Sequence, residues 1–166
     1  MGGLIAPTGD RSERLSNGNT LEPSSQPGTG RFGFQGGLAY TRVVAEGLKL
    51  DTSGLYTHRL ERGGIKVGDR LDSGLALSFQ VADHHDTAPR LSIFGELNHI
   101  WLDKDRSAEG RNGNSGGTSL FLTGGVRFGL GALTFTLAPS VPLYQEPNGD
   151  QVEVDYKLTA MLVVRL

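Results

Sequence analysis

The chain ends with fifteen residues that alternate in polarity at nearly every step: Val152-Glu153-Val154-Asp155-Tyr156-Lys157-Leu158-Thr159-Ala160-Met161-Leu162-Val163-Val164-Arg165-Leu166. All even positions hold apolar side chains, whereas most odd positions hold charged or polar ones. A period of two over this length predicts one extended strand with an apolar face and a polar face. Most strands contain only about 5–6 residues. A strand of this length is typical of a tilted wall that crosses a membrane.

The composition of the whole chain fits a sheet protein with many turns. Of its 166 residues, 25 are Gly and only 37% are apolar, which favours turns and close backbone approaches over helices. The length predicts a single domain over residues 1–166. The net charge of −2 provides no broad basic surface for a nucleic acid. The sequence shows neither a transmembrane helix nor a secretory leader, so we expect an exported form to be mature or part of a longer chain.

The same alternation recurs along the chain. Seven segments alternate clearly, and an eighth, at about residues 3–8, is too short to score. The seven lie at about residues 31–43, 48–61, 70–82, 90–103, 118–129, 132–145 and 152–166. The connections 10–30 and 104–117 are long, whereas 44–47 and 129–131 are tight. Long loops at one end and short turns at the other are typical of up-and-down outer-membrane barrels, so we expect loops 10–30 and 104–117 to share one end.

The aromatic residues follow the apolar parity. Nine of the twelve lie on the apolar face of their segments. Five fall near the long-loop end and four toward the short-turn end: Phe32, Phe34, Tyr56, Trp101 and Tyr156, then Tyr40, Phe79, Phe128 and Phe135. Two aromatic belts separated by Leu, Val and Gly are typical of the two membrane–water interfaces. The alternative is a soluble barrel, similar to a lipocalin, whose apolar face turns inward around an apolar ligand.

If the apolar face meets lipid, the polar face lines a lumen. The candidate solute-contacting residues on that face are Asp51, Asp72, Glu96, Asn98, Arg127, Asp155 and Lys157. Charges of both signs occur there in near balance, so opposite charges could pair between neighbouring strands. A barrel of eight strands is only wide enough to be filled by its own side chains. Two interpretations stay open for each charge, namely contact with a solute and structural pairing.

Other candidate sites are weak in the sequence. The run Asp83-His84-His85-Asp86 lacks further ligands at a suitable spacing, so we predict neither a metal nor a cofactor. A lipid-modifying enzyme would need a nucleophile beside His58 or His99 and a third, orienting group. Ser53 and Ser73 are the available hydroxyls, but no sequence pattern supports them. The primary prediction is therefore a protein without enzymatic activity, and a Ser–His hydrogen bond would favour the enzymatic alternative.

A series of turn and strand motifs resembles one membrane-protein family. They are Pro7-Thr8-Gly9-Asp10, Gln26-Pro27-Gly28-Thr29-Gly30, Gly37-Leu38-Ala39-Tyr40-Thr41-Arg42, Gly68-Asp69, Gly95-Glu96-Leu97-Asn98 and Pro139-Ser140-Val141-Pro142-Leu143-Tyr144-Gln145. Their order resembles the C-terminal part of the outer-membrane barrel family named for a phenol-degradation pathway. The resemblance implies a transporter for hydrophobic or aromatic solutes, without catalytic residues that can be carried over. Members of that family are longer, with additional N-terminal strands, and such barrels commonly end in an aromatic residue rather than Leu166.

The sequence therefore predicts an antiparallel, up-and-down transmembrane β-barrel of about eight strands in the outer membrane of a bacterium. We expect a channel or transporter for small solutes or a structural barrel, with the lipid bilayer and a solute as its partners. Closure requires the opening segment 3–8 to pair with 152–166, although Pro7 removes one donor. Because the resemblance implies further strands, we expect closure to be imperfect and the chain to be part of a larger barrel or of an oligomer.

Overall fold

The computed structural model describes residues 1–9, 18, 30–82 and 89–165. Their strands are β1 (Gly2–Ile5), β2 (Gly33–Ala45), β3 (Leu48–Arg59), β4 (Arg70–Ala82), β5 (Arg90–Leu102), β6 (Arg106–Ser107), β7 (Gly110–Arg111), β8 (Gly117–Leu130), β9 (Leu133–Pro147) and β10 (Lys157–Val164). No helix in this part of the chain is long and apolar enough to cross a membrane. The prediction of an all-β fold is confirmed.

Eight strands form one antiparallel sheet in the order β1-β2-β3-β4-β5-β8-β9-β10. The remaining two, β6 and β7, form a small hairpin within the connection between β5 and β8. Strands that follow one another in the chain are neighbours in the large sheet, apart from the hairpin between β5 and β8. The topology is therefore the predicted up-and-down one, and the long central strands lie close to the predicted bounds.

The last strand is shorter than the sequence predicts. Strand β10 covers only Lys157–Val164, so the prediction of a continuous strand over 152–166 is wrong at its start. The Gln145 side chain explains the interruption, because its amide N–H donates to the Val154 carbonyl and its amide oxygen accepts from the Val154 N–H, both at 3.1 Å. These bonds satisfy the backbone groups that a strand partner would otherwise bond. Residue Leu166 lies outside the described residues.

The sheet has an apolar face that is exposed and a polar face that encloses a cavity. Residues of β3, β4, β5, β8, β9 and β10, together with Met1, line one cavity of about 600 Å³, so the polar face is concave and the apolar face is convex. On the convex face Leu122, Leu137 and Leu162 are 43%, 37% and 64% exposed. On the concave face Thr123, Thr136 and Ser140 are buried. This distribution is the inverse of a soluble domain, whose apolar residues are the ones most often buried.

The sheet is not closed. Strand β1 covers only Gly33–Gly36 of β2, and one further pair of backbone hydrogen bonds joins Met1 to Gly37. Among the described residues, no ladder joins β1 to β10, so the pairing of 3–8 with 152–166 that a complete eight-stranded barrel requires is not found. Within residues 1–9, 18, 30–82 and 89–165, no strand pairs with the rest of β2 or with the outer side of β10, so both are open edges there. The expectation of imperfect closure agrees with this arrangement.

The connections are partly placed as predicted. The turns between β2 and β3 and between β8 and β9 lie at one end of the sheet, and the segment 103–116 lies at the other. We call these the short-turn end and the long-loop end. Apart from residues 18 and 30, the loop 10–30 lies outside the described residues, so its predicted position stays a prediction.

Candidate functional site

One rung of the concave face brings three of the predicted lumen charges into a single row. The strand registers align Asp51 with Ala76, Ala76 with Glu96, Glu96 with Thr123, Thr123 with Ser140, and Ser140 with Lys157. Partners in register lie on the same face of a sheet. The row therefore runs across the sheet with carboxylates on the β3 and β5 side and an ammonium group on β10.

A chain of hydrogen bonds lines the middle of this row. The Asn98 amide donates to a Glu96 carboxylate oxygen at 3.4 Å and to the Thr123 hydroxyl at 3.3 Å. The Thr123 hydroxyl in turn donates to the Ser140 hydroxyl at 2.9 Å. These contacts fix the orientation of neutral groups around Glu96 and leave its negative charge facing the cavity.

The cations on the opposite side of the cavity lie over aromatic rings. The guanidinium of Arg127 is 5.3 Å from the centre of the Phe94 ring, and the Lys157 ammonium is 3.5 Å from the centre of the Phe121 ring. Such contacts stabilise a cation without neutralising its charge. Phe94 and Phe121 were not predicted as site residues, although both carry the polar-face parity of their strands. An aromatic residue out of pattern on a polar face is the signal that could have identified them.

Most of the predicted lumen charges form no ion pair with another described residue. Asp72 accepts two hydrogen bonds from the guanidinium of Arg70, so structural pairing applies to this residue. Among the described residues, Glu96, Arg127 and Lys157 have no oppositely charged group within 4.0 Å. All three line the 600 Å³ cavity, with Asp72 and Asn98.

Two predicted residues do not line this cavity. Asp51 lines a smaller neighbouring cavity of about 300 Å³ and accepts a hydrogen bond from Thr41. Asp155 is exposed in the irregular segment before β10, because that strand starts at Lys157. The cavity therefore brings together five of the seven predicted residues.

A second polar cluster lies at the long-loop end and centres on Asp69. This buried carboxylate accepts hydrogen bonds from the Tyr56 hydroxyl at 2.9 Å, from the Arg59 backbone N–H at 3.2 Å and from Lys66 at 3.3 Å, and its other close contact is the Nδ1 of His58 at 2.9 Å. Burial alone would raise the pKa of Asp69, but these hydrogen bonds outweigh burial and lower the pKa to about 2. The cluster holds the start of β4 against the end of β3.

A Ser–His contact joins β4 and β5 at two residues that share the parity of the apolar face. The Ser73 hydroxyl lies 3.2 Å from the Nδ1 of His99, and the two residues are register partners on β4 and β5. This contact is the observation that favours the enzymatic alternative. In the part of the chain that the structure describes, no carboxylate or amide orients the other nitrogen of His99, so the third group of a triad is missing.

In the same part of the chain, no three His, Asp or Glu residues are placed so that they could hold a metal ion together. The run Asp83–Asp86 lies outside the described residues.

The comparisons with known proteins show no family. No protein-family model matches the chain, and no curated protein matches it. The resemblance to the phenol-degradation outer-membrane family therefore stays a prediction, together with the solute and the location that it implies.

Proposed function

We propose that this chain forms the wall of a bacterial outer-membrane channel or transporter for small solutes. The observation that carries the proposal is the exposed apolar convex face combined with a polar, partly buried concave face. Lipid would cover the convex face, and solute would contact the concave one. The soluble, lipocalin-like alternative needs the opposite arrangement, because it encloses an apolar ligand with the apolar face.

The charges of the 600 Å³ cavity support solute contact rather than plugging. Glu96 lies on one side of the cavity and Lys157 on the other, and each lacks an ion pair among the described residues. Phe94, Phe121 and Leu55 add apolar surface to the same lining. A solute with an apolar body and a charged or polar group would find matching surfaces there. This class includes the aromatic solutes that the family resemblance implies.

Location in a bilayer would require both open edges of the sheet to be paired. Each unpaired backbone group in hydrocarbon costs several kcal/mol, so spanning sheets close. We propose that β10 and the uncovered part of β2 pair with partner strands, either in a larger barrel or in an oligomer. Chemical cross-linking in lipid vesicles distinguishes the two cases, since only an oligomer gives cross-linked dimers or larger species.

Ion selectivity in planar bilayers tests the solute path. We expect Glu96→Gln to shift the selectivity toward anions and Lys157→Gln to shift it toward cations, because each change removes one unpaired charge from the lining. The matched control is Glu109→Gln, since Glu109 is exposed in the loop between β6 and β7. Equal reversal potentials for all three variants, or a wild-type chain that neither conducts nor releases solutes from vesicles, would contradict the proposal.

A second candidate function is hydrolysis of lipid esters at Ser73 and His99. The 3.2 Å contact supports it, because His99 could accept the Ser73 proton while the hydroxyl oxygen attacks an ester carbonyl. The leaving alcohol would take that proton, and water would then release the acyl group. Covalent labelling by an alkyl phosphonate tests this candidate, with Ser53→Ala as the control and Ser73→Ala as the variant that should lose the label. An unlabelled wild-type chain would rule it out.

A further inference from the structure

Three arginines surround a small cavity at the short-turn end of the concave face. Arg90, Arg127 and Arg165 line it together with the hydroxyl residues Ser92 and Thr134, and its volume is about 170 Å³. The sheet register sets this arrangement, since Ser92 pairs with Arg127, Arg90 with Gly129, and Gly129 with Thr134.

The turn between β8 and β9 holds two of these arginines in place. The Arg90 guanidinium donates to the Gly131 carbonyl at 3.5 Å, and the backbone N–H of Arg165 donates to the Ala132 carbonyl at 2.9 Å. Arg127 is held by its contact with the Phe94 ring. The side chains of Arg90 and Arg127 are therefore held by direct contacts, whereas Arg165 is held through its backbone, and each guanidinium keeps donors for a further partner.

The charge around this cavity is uncompensated in the described lining. The lining contains three guanidinium groups and no Asp or Glu. Like charges that line one small cavity repel one another, and a bound anion relieves that repulsion. Guanidinium groups match carboxylate and phosphate oxygens with paired N–H donors, and the two hydroxyls can donate to further oxygens.

We propose that this cavity is a binding site for a small oxyanion, either a carboxylate or a phosphate. Gly129 is part of the lining, and an added Cβ there would lie in van der Waals contact with Arg90, 3.5 Å from its Nε and 3.6 Å from its Cβ. The site belongs to the concave face whether or not the sheet lies in a bilayer, so the proposal does not depend on channel function. In a channel, it would concentrate anionic solutes at the short-turn end.

Titration of the full chain in neutral detergent with inorganic phosphate tests the proposal. At constant ionic strength we expect saturable binding in a calorimeter, and Arg165→Gln and Arg90→Gln should each weaken it by about fivefold or more, as expected for loss of a charge-assisted hydrogen bond. The matched control is Arg111→Gln at an exposed position of the hairpin formed by β6 and β7, which should bind like the wild type. Acetate, tested in parallel, separates carboxylate binding from phosphate binding.

Two further measurements keep the result interpretable. Gly129→Ala retains all three positive charges but fills part of the cavity, so it should also weaken binding. Vesicles that contain phosphatidylglycerol distinguish a lipid phosphate from a free one, and we expect free phosphate to compete with any vesicle binding. Binding that Arg111→Gln weakens as much as Arg165→Gln does, or no saturable binding of either anion, would overturn the proposal.

Discussion

Asp69 shows how much one buried carboxylate can contribute when several donors surround it. Four neighbours on β3 and on the following connection hold it, and they keep it ionised despite burial. Its pKa is lower in the folded state, so its contribution to stability is complete above its unfolded pKa of about 4 and disappears as the pH falls toward 2.

Asp69→Asn should therefore lower the free energy of unfolding by about 1–3 kcal/mol near neutral pH, because the charged hydrogen bonds are lost. Chemical unfolding followed by circular dichroism, at about pH 7 and about pH 2, measures this difference. The gap between the variant and the wild type should shrink at the lower pH. Asp150→Asn, at an exposed turn, is the control, and an equal loss at both pH values would contradict the role of charge.

Gly125 has a defined steric role beneath the Phe94 ring. A Cβ at Gly125 would lie 2.3 Å from Cζ of Phe94 and 2.9 Å from the Leu137 carbonyl oxygen. We expect Gly125→Ala to cost about 1–3 kcal/mol of unfolding free energy, as overpacking does, and to displace Phe94 from Arg127. Gly124→Ala is the matched control, because nothing lies within 4 Å of its added Cβ. Equal unfolding free energies for the two variants would refute this account of Phe94.

At the scale of the elements, the sequence predicted the strands where alternation alone determines the face of each residue. Strands β4, β5, β8 and β9 are of this kind, and both the apolar parity and the approximate bounds were correct. The failures arose where a side chain competes with the ladder. The Gln145 side chain bonds the backbone of Val154, so β10 begins only at Lys157. No local pattern in 152–166 reveals this contact, because Gln145 lies seven residues before that segment.

The same limit applies to the site. Parity placed Glu96, Asn98, Arg127 and Lys157 on the correct face, but the partners of each charge depend on register between strands. Register also created the contacts of Phe94 with Arg127 and of Ser73 with His99, which are far apart in the sequence. Sequence periodicity therefore predicted the lining but not its pairing.

Leu137 provides a test at the level of one strand. It lies on the convex face as the fifth of the fifteen residues of β9, so Leu137→Arg should reduce stability in lipid vesicles by about 2–4 kcal/mol if it sits at the bilayer midplane. Leu60→Arg places the same charge on the connection between β3 and β4 and is the control. Equal refolding yields and unfolding midpoints in vesicles for the two variants would argue against lipid contact at Leu137.

For the whole molecule, the proposed location in a bilayer explains the polar concave face, the apolar convex face and the two open edges together. An exposed apolar face of this extent needs lipid or another apolar partner. The open edges need partner strands when the sheet is in lipid. The account therefore predicts that the chain requires detergent or lipid to stay dispersed, and that assembly in lipid covers its edges.

The most direct measurement of lipid contact is a spin-label scan along β9 in vesicles. The chain has no cysteine, so single Cys variants at positions 133–141 can each carry one label. We predict that odd positions, which share the face of Leu137, are accessible to oxygen dissolved in the bilayer, whereas even positions, which share the face of Thr136, are accessible to a water-soluble nickel reagent. Loss of this alternation, or odd positions that are accessible to the nickel reagent and not to oxygen, would contradict the membrane account.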